Sequence, residues 1–82
     1  MGEQTRIHEA VDVYAIFTKG TVVPRAFRWS GRTYTIDQVH QHWDGKNGAI
    51  RLFYFAVTAA GNAYKLCFNS QECGWMLEEV FA

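Results

Sequence analysis

Eighty-two residues carry 49% hydrophobic and 16% aromatic side chains at a formal net charge of zero. That balance fits one small folded domain near the lower size limit for a self-sustaining core, and it argues against a disordered segment or a dedicated nucleic-acid binder. The opening "MGEQTRIHE" lacks the apolar core of a signal peptide, and Arg6 stands where a myristoylation signal needs Ser or Thr. The most apolar run, "AIRLFYFAV", carries Arg51 and falls well short of the about 20 residues of a membrane span. A cytoplasmic location is the expectation, with no membrane contact. Cys67 and Cys73 alone make no disulfide framework, and their spacing is not that of a zinc knuckle, so both read as reduced structural thiols.

Taken in order, residues 1–9 read as a less ordered lead into a single domain spanning 1–82. In "VDVYAIF", Val11, Val13, Ala15 and Phe17 share one side of a strand, which Lys19-Gly20 ends with a turn. A helical turn before Val11 remains open. "RAFRWSGRTYTI" reads as a hairpin about Ser30-Gly31, setting Phe27 opposite Tyr34 and Trp29 opposite Arg32. Phe27, Trp29, Tyr34 and Ile36 then share a face, while Arg28, Thr33 and Thr35 point the other way. Alternation slips after Ile36, which predicts a bulge or short turn at Asp37-Gln38 and returns Val39 and Trp43 to the apolar side.

"DGKNG" is the strongest turn signal and leads into "IRLFYFAVT", apolar on both faces as a central strand should be. "AAGN" closes the next hairpin, and a turn at Gly61-Asn62 would set Phe55 against Phe68 and Val57 against Leu66. The last strand, "WMLEEVF", puts Trp75, Leu77 and Phe81 on one side, with Glu79 as an exception that suggests a sheet edge. Five or six short antiparallel strands with no helical layer predict an all-β fold, a small strongly curved sheet or small barrel.

The pattern G-x3-P-x2-F-x-W-x-G-R-x-Y-x-I-x2-V-x3-W, from Gly20 to Trp43, resembles an uncharacterised family of small bacterial all-β domains. Tyr64, Leu66, Trp75 and Leu77 resemble that family's closing strands, so the likeness covers roughly residues 11–82. The segment after Trp43 departs from it, being short and rich in Gly, Asn and Asp. Members often accompany Y-family, error-prone DNA polymerases and damage-response genes. The resemblance thus implies a setting but no mechanism, activity or cofactor.

Charge is unevenly spread. Residues 19–36 hold Lys19, Arg25, Arg28 and Arg32 with no acid, whereas Glu72, Glu78 and Glu79 crowd the far end. Arg32, opposite Trp29, is placed to stack on the indole, a framework role. Lys19, Arg25 and Arg28 could line a partner's acidic surface or, with an exposed ring, a single-stranded nucleic acid. His40 and His42 lie two apart and would share a face of a strand. Too few further donors stand at diagnostic distances for a metal site, so polar-face histidines are the plainer reading. No phosphate loop, nucleophile elbow or paired-carboxylate signature occurs. The expectation is a non-enzymatic binding or protein-interaction module without cofactor or metal, with Lys19, Arg25, Arg28, Arg32, His40 and His42 as candidate binding residues. The alternative is a weak single-stranded nucleic-acid binder.

Overall fold

In the computed structural model, which describes residues 4–81, period-two alternation runs through seven strands. They are β1 (Gln4–Thr18), β2 (Thr21–Trp29), β3 (Arg32–Thr35), β4 (Gln38–Asn47), β5 (Ile50–Ala59), β6 (Asn62–Asn69) and β7 (Gly74–Phe81). They form one antiparallel sheet in the order β3-β2-β1-β7-β6-β5-β4, curled into a half-barrel. The all-β expectation holds, with seven strands in place of five or six.

The extra strand has a simple origin. Every pairing in the sheet is antiparallel, so β3 and β4, its two edges, both run in the direction of β1. They are also consecutive, separated only by Ile36 and Asp37. The Ile36 N–H donates to the Arg25 carbonyl at 2.9 Å, and the Asp37 N–H donates to the Thr58 carbonyl at 2.8 Å. One extended path therefore leaves β2 and joins β5 between adjacent residues, drawing the sheet's edges together. β1 divides in the same manner, pairing with β7 from Gln4 to Val11 and with β2 from Asp12 to Thr18. Residues from Gln4 to Glu9, expected as a lead, are thus strand, and residues 1–3 lie outside the described residues.

Bulges supply the bend, since an extra residue kinks its strand and increases local twist. Arg25 is extra on β2 opposite Tyr14 and Ala15, His40 is extra on β4, and Glu78 is extra on β7 opposite Lys65 and Leu66. The last two also correct the expected faces. His40 reverses parity, so Val39 opposes Val57 on the concave side while Trp43 opposes Tyr54 on the convex side. Glu78 likewise sends Glu79 outward to Lys65, turns Val80 toward the core and leaves Phe81 outside. β7 lies between β1 and β6, so Glu79 does not mark an edge.

The hairpin at Ser30-Gly31 forms in the expected register, Phe27 opposite Tyr34 and Trp29 opposite Arg32. The next hairpin turns at Ala60-Gly61, one residue earlier than expected, so Phe55 opposes Leu66 and Val57 opposes Tyr64. Both turns have two positive-φ residues, 52° and 77° then 50° and 83°, the geometry that matches strand twist. Glycine occupies the second of these positions at each turn, where it carries no Cβ penalty. "DGKNG" continues as strand to Asn47, and the chain reverses at Gly48-Ala49.

The concave side holds the core. Phe27, Leu66, Leu77, Val57 and Pro24 have fully buried side chains. At the end where the edges meet, Phe27 stacks on Tyr34 at 5.2 Å and meets Tyr64 edge-on at 5.0 Å, with Trp29 against both tyrosines. Such ring pairs contribute about 0.5–1.5 kcal/mol each beyond the area they bury. Phe27→Ala should therefore destabilise the domain by about 3–5 kcal/mol, enough to unfold much of a chain this small. A urea titration followed by far-ultraviolet circular dichroism checks this, with Arg28→Ala, on the exposed side of the same strand, expected to change stability by less than about 0.5 kcal/mol.

Candidate functional site

The half-barrel is tight at Ile36-Asp37 and opens away from it. β3 pairs with only Ala26 to Trp29, so β2 lacks a strand partner on that side from Thr21 to Arg25. β4 terminates the sheet, so its edge away from β5 has none either. A cleft of about 890 Å³ lies between these two open edges. Its floor is apolar, with Val22, Val39, Phe53, Phe55 and Phe68, and Phe17 closes one side by meeting Phe68 edge-on at 5.6 Å. Its rim is polar. Lys19 sits at the β1–β2 turn, and across from it the Arg51 guanidinium bonds Asp44 Oδ2 at 2.9 Å while lying 5.3 Å from the Phe53 ring centre. Size and lining are those of a ligand or peptide cleft.

Of the residues singled out in the sequence, Lys19 and His42 reach this cleft. Arg25 and Arg28 do not line it; both are exposed on β2, with the bulge at Arg25 allowing residues three apart to emerge together. Arg32 is exposed at the start of β3 and, among the described residues, makes no stack on Trp29. Trp29 packs on Tyr34 and Tyr64 instead, with its indole Nε1 buried and unpaired. The histidines part company. His40, in the bulge, places Nε2 3.1 Å from the Thr58 hydroxyl, whereas His42 opposes Phe55 and faces the cleft. Among the described residues no three of His, Cys, Asp and Glu gather as a metal site would require.

Phe17, Asp44, Arg51 and Phe53 were not singled out in the sequence as site residues. Phe17 was legible as an inward position of its strand, but its 64% exposure was not. Arg51 shares the parity of Phe53 and Phe55, a cation at the end of an inward-facing row.

The convex side carries a second aromatic group. Trp43 stacks on Tyr54 at 5.5 Å, and Lys65 Nζ lies 5.8 Å and 5.2 Å from their ring centres. Glu79 holds that ammonium at 3.4 Å and also accepts a bond from Gln4. Tyr54 lies over Gly45, where an added Cβ would come within 2.8 Å of its ring. These contacts tie five strands together and read as framework. Cys67, opposite Tyr54 on β6, is buried and unbridged, and Cys73 is exposed and unbridged. Burial and then the Glu78 charge push the Cys67 thiol up, and burial together with Cys67 and Glu78 pushes the Tyr54 phenol up. A thiol held protonated is a poor nucleophile.

The fold and site define a small antiparallel half-barrel domain with an open apolar cleft. The family known as DUF6504, a domain of unknown function, matches residues 1–81, and the chain belongs to it. Comparison with curated proteins and with solved structures found no match. Among the described residues no helix is long and apolar enough to cross a membrane.

The convex pair predicts a pH response. Cys67 and Tyr54 hold their protons more tightly folded than unfolded. The resulting stability is fully present below their ordinary values of 9.0 and 10.0 and is lost as pH rises through the raised folded values. Urea midpoints should fall between about pH 8.5 and 11, and Cys67→Ala should flatten the first part of that decline. An equal decline in the variant would show that the thiol contributes nothing to it.

Proposed function

We propose that this domain is a non-catalytic binding module that takes up a segment of a partner protein on its β1–β2 hairpin and in the cleft beside it. One observation carries the reading. Of the six large hydrophobic side chains exposed among the described residues, four lie on this single hairpin, Tyr14, Ile16 and Val23 on its outer face and Phe17 toward the cleft, the other two being Trp43 and Phe81. Ile16 and Val23 are direct cross-strand partners, so their exposed surfaces are contiguous. Exposed apolar side chains scattered singly are ordinary, but a cluster on one element marks a contact surface. Lys19, Arg25 and Arg28 flank it on β2 and its turn and favour a partner with acidic residues at its margin. The bacterial damage-response setting implied by the family resemblance, and the cytoplasmic location expected from the sequence, belong to the same proposal.

A second reading has its own observation. Tyr14 is an exposed ring opposite Ala26, beside the bulged Arg25 and near Arg28, an arrangement that could stack a base and follow a phosphate chain. Asp12 directly opposes Arg28 and weakens the local positive field, which places single-stranded nucleic acid second.

The experiment uses the full chain and a double variant, Ile16→Glu with Val23→Glu. Proteins retained from the native host are identified, and the best candidate is purified and titrated against both forms. The two positions are half exposed and the glutamates face each other across the pair, so stability should fall by about 1–2 kcal/mol with the domain still folded, while affinity should fall at least tenfold, roughly 1.4 kcal/mol. Unchanged affinity in a folded variant would refute the hairpin as the contact. A fluorescence-anisotropy titration with single-stranded DNA at low salt decides the second reading. Binding no tighter than about 1 μM, weakened by salt and by Arg25→Ala with Arg28→Ala, would support it, and no binding at about 100 μM would remove it.

A further inference from the structure

We infer that the partner segment enters the cleft as an extended strand and adds to the open edge of β4, with alternate apolar side chains on the floor and an acidic one at the rim. This rests on the binding-module reading and specifies the form of what binds.

Backbone geometry comes first. β4 ends the sheet order, so the N–H and C=O groups that point away from β5 lack a strand partner along its ten residues. The opposite wall of the cleft, β2 from Thr21 to Arg25, is the poorer template. Pro24 has no N–H to offer there, and the Arg25 carbonyl is already taken by Ile36. An incoming strand is therefore directed to β4. The stretch of β4 that lines the cleft, from Val39 to Asp44, spans about 20 Å at a rise of roughly 3.3 Å per residue, the length of a common strand. Main-chain pairing at a sheet edge with side-chain pockets beside it is a recurrent mode of peptide recognition.

Side-chain chemistry then specifies the occupant. The floor is lined by Val22, Phe53, Phe55 and Phe68, which suits apolar residues at every second position of a strand. The charge at the rim is mostly positive. Arg51 is balanced by Asp44, but Lys19 at the rim and Lys46 beyond Asp44 on β4 make no ion pair among the described residues. A strand whose floor-facing row of apolar residues ends in an acidic one, level with Lys46 and Arg51, matches both features. A second copy of this chain offers neither at its own open edge, because "QVHQHWDGKN" has no alternating apolar run and its single acid, Asp44, is already paired with Arg51. An edge this polar, interrupted by the His40 bulge, is also protected from pairing with its own kind.

The test uses isotope-labelled full-length protein and a seven-residue synthetic peptide with valine, phenylalanine, valine and a terminal glutamate at alternate positions and threonine between them. Two further versions are N-methylated at alternate backbone nitrogens, one for each phase. The expected result has three parts. Chemical shifts move at Val39, His42 and Phe53. The gap-facing amides of β4 exchange at least tenfold more slowly. At least one methylated peptide binds at least tenfold more weakly, a difference of roughly 1.4 kcal/mol. Lys19→Glu should weaken binding and reduce its salt dependence.

Shifts at the cleft with unchanged β4 exchange, and equal binding of all three peptides, would overturn strand addition while leaving a binding cleft in place. Protection of β4 that appears with rising protein concentration and no peptide would make a second copy the occupant and overturn the inference. No shift anywhere in the cleft at about 1 mM peptide would also overturn it, and the Ile16 and Val23 variants would then decide separately whether the hairpin binds a partner.

Discussion

Two neighbouring amides, Ile36 and Asp37, donate to carbonyls on strands that belong to opposite ends of the sheet order. That constraint turns a flat seven-strand ribbon into a half-barrel, because the sheet's two edges become one continuous path of chain. It also resolves a parity problem. A ring of seven antiparallel strands cannot close, but β3 and β4 run in the same direction and act as one strand that changes partner. The four-ring cluster of Phe27, Trp29, Tyr34 and Tyr64 packs β2 and β3 against β6, the neighbour of β5, beside this crossing. The open cleft is the counterpart of the same constraint, since edges pinned at one point and free beyond it must diverge.

The sequence motif from Gly20 to Trp43 is thereby accounted for as framework. Pro24 and Phe27 fill the core, Ser30-Gly31 makes the turn, Tyr34 stacks on Phe27, and Ile36 makes the crossing. Arg32 has no such role, and nothing in the structure explains its place in the motif. Trp43 works on the convex side, where its ring and that of Tyr54 share the Lys65 ammonium. Of the residues that line the open end, Val39 belongs to the motif and Val22 and His42 lie within its span, whereas Phe17, Asp44 and Arg51 fall outside it.

Much of this fold could be read from period-two alternation and turn chemistry. Residue-for-residue pairing at Ser30-Gly31 followed from a two-residue turn between matched apolar rows. Errors arose where one residue shifted the parity of those that followed. His40 and Glu78 are polar residues whose side chains give no sign that the backbone beside them is irregular, and each moves one or two large residues to the other face. The Ala60-Gly61 turn was missed for a related reason. Ala60 adopts a φ of 50°, a conformation that alanine rarely takes, so the dipeptide beginning with glycine looked the better turn. The site was less legible than the fold. A cleft between open edges depends on which strands lack partners, and sheet order is a long-range property that local patterns do not carry. Basic residues were visible in the sequence, but their division between the cleft rim and the outer face of β2 depended on the bulge at Arg25.

Native-state amide hydrogen exchange at Ile36 and Asp37 tests the crossing most directly. If those two bonds hold the half-barrel shut, both amides should exchange only by the global unfolding that exposes Leu66, with the same free energy of opening and the same dependence on denaturant. Exchange of either amide by local fraying, several orders of magnitude faster than Leu66 and insensitive to denaturant, would contradict the account. The half-barrel would then owe its curl to side-chain packing alone.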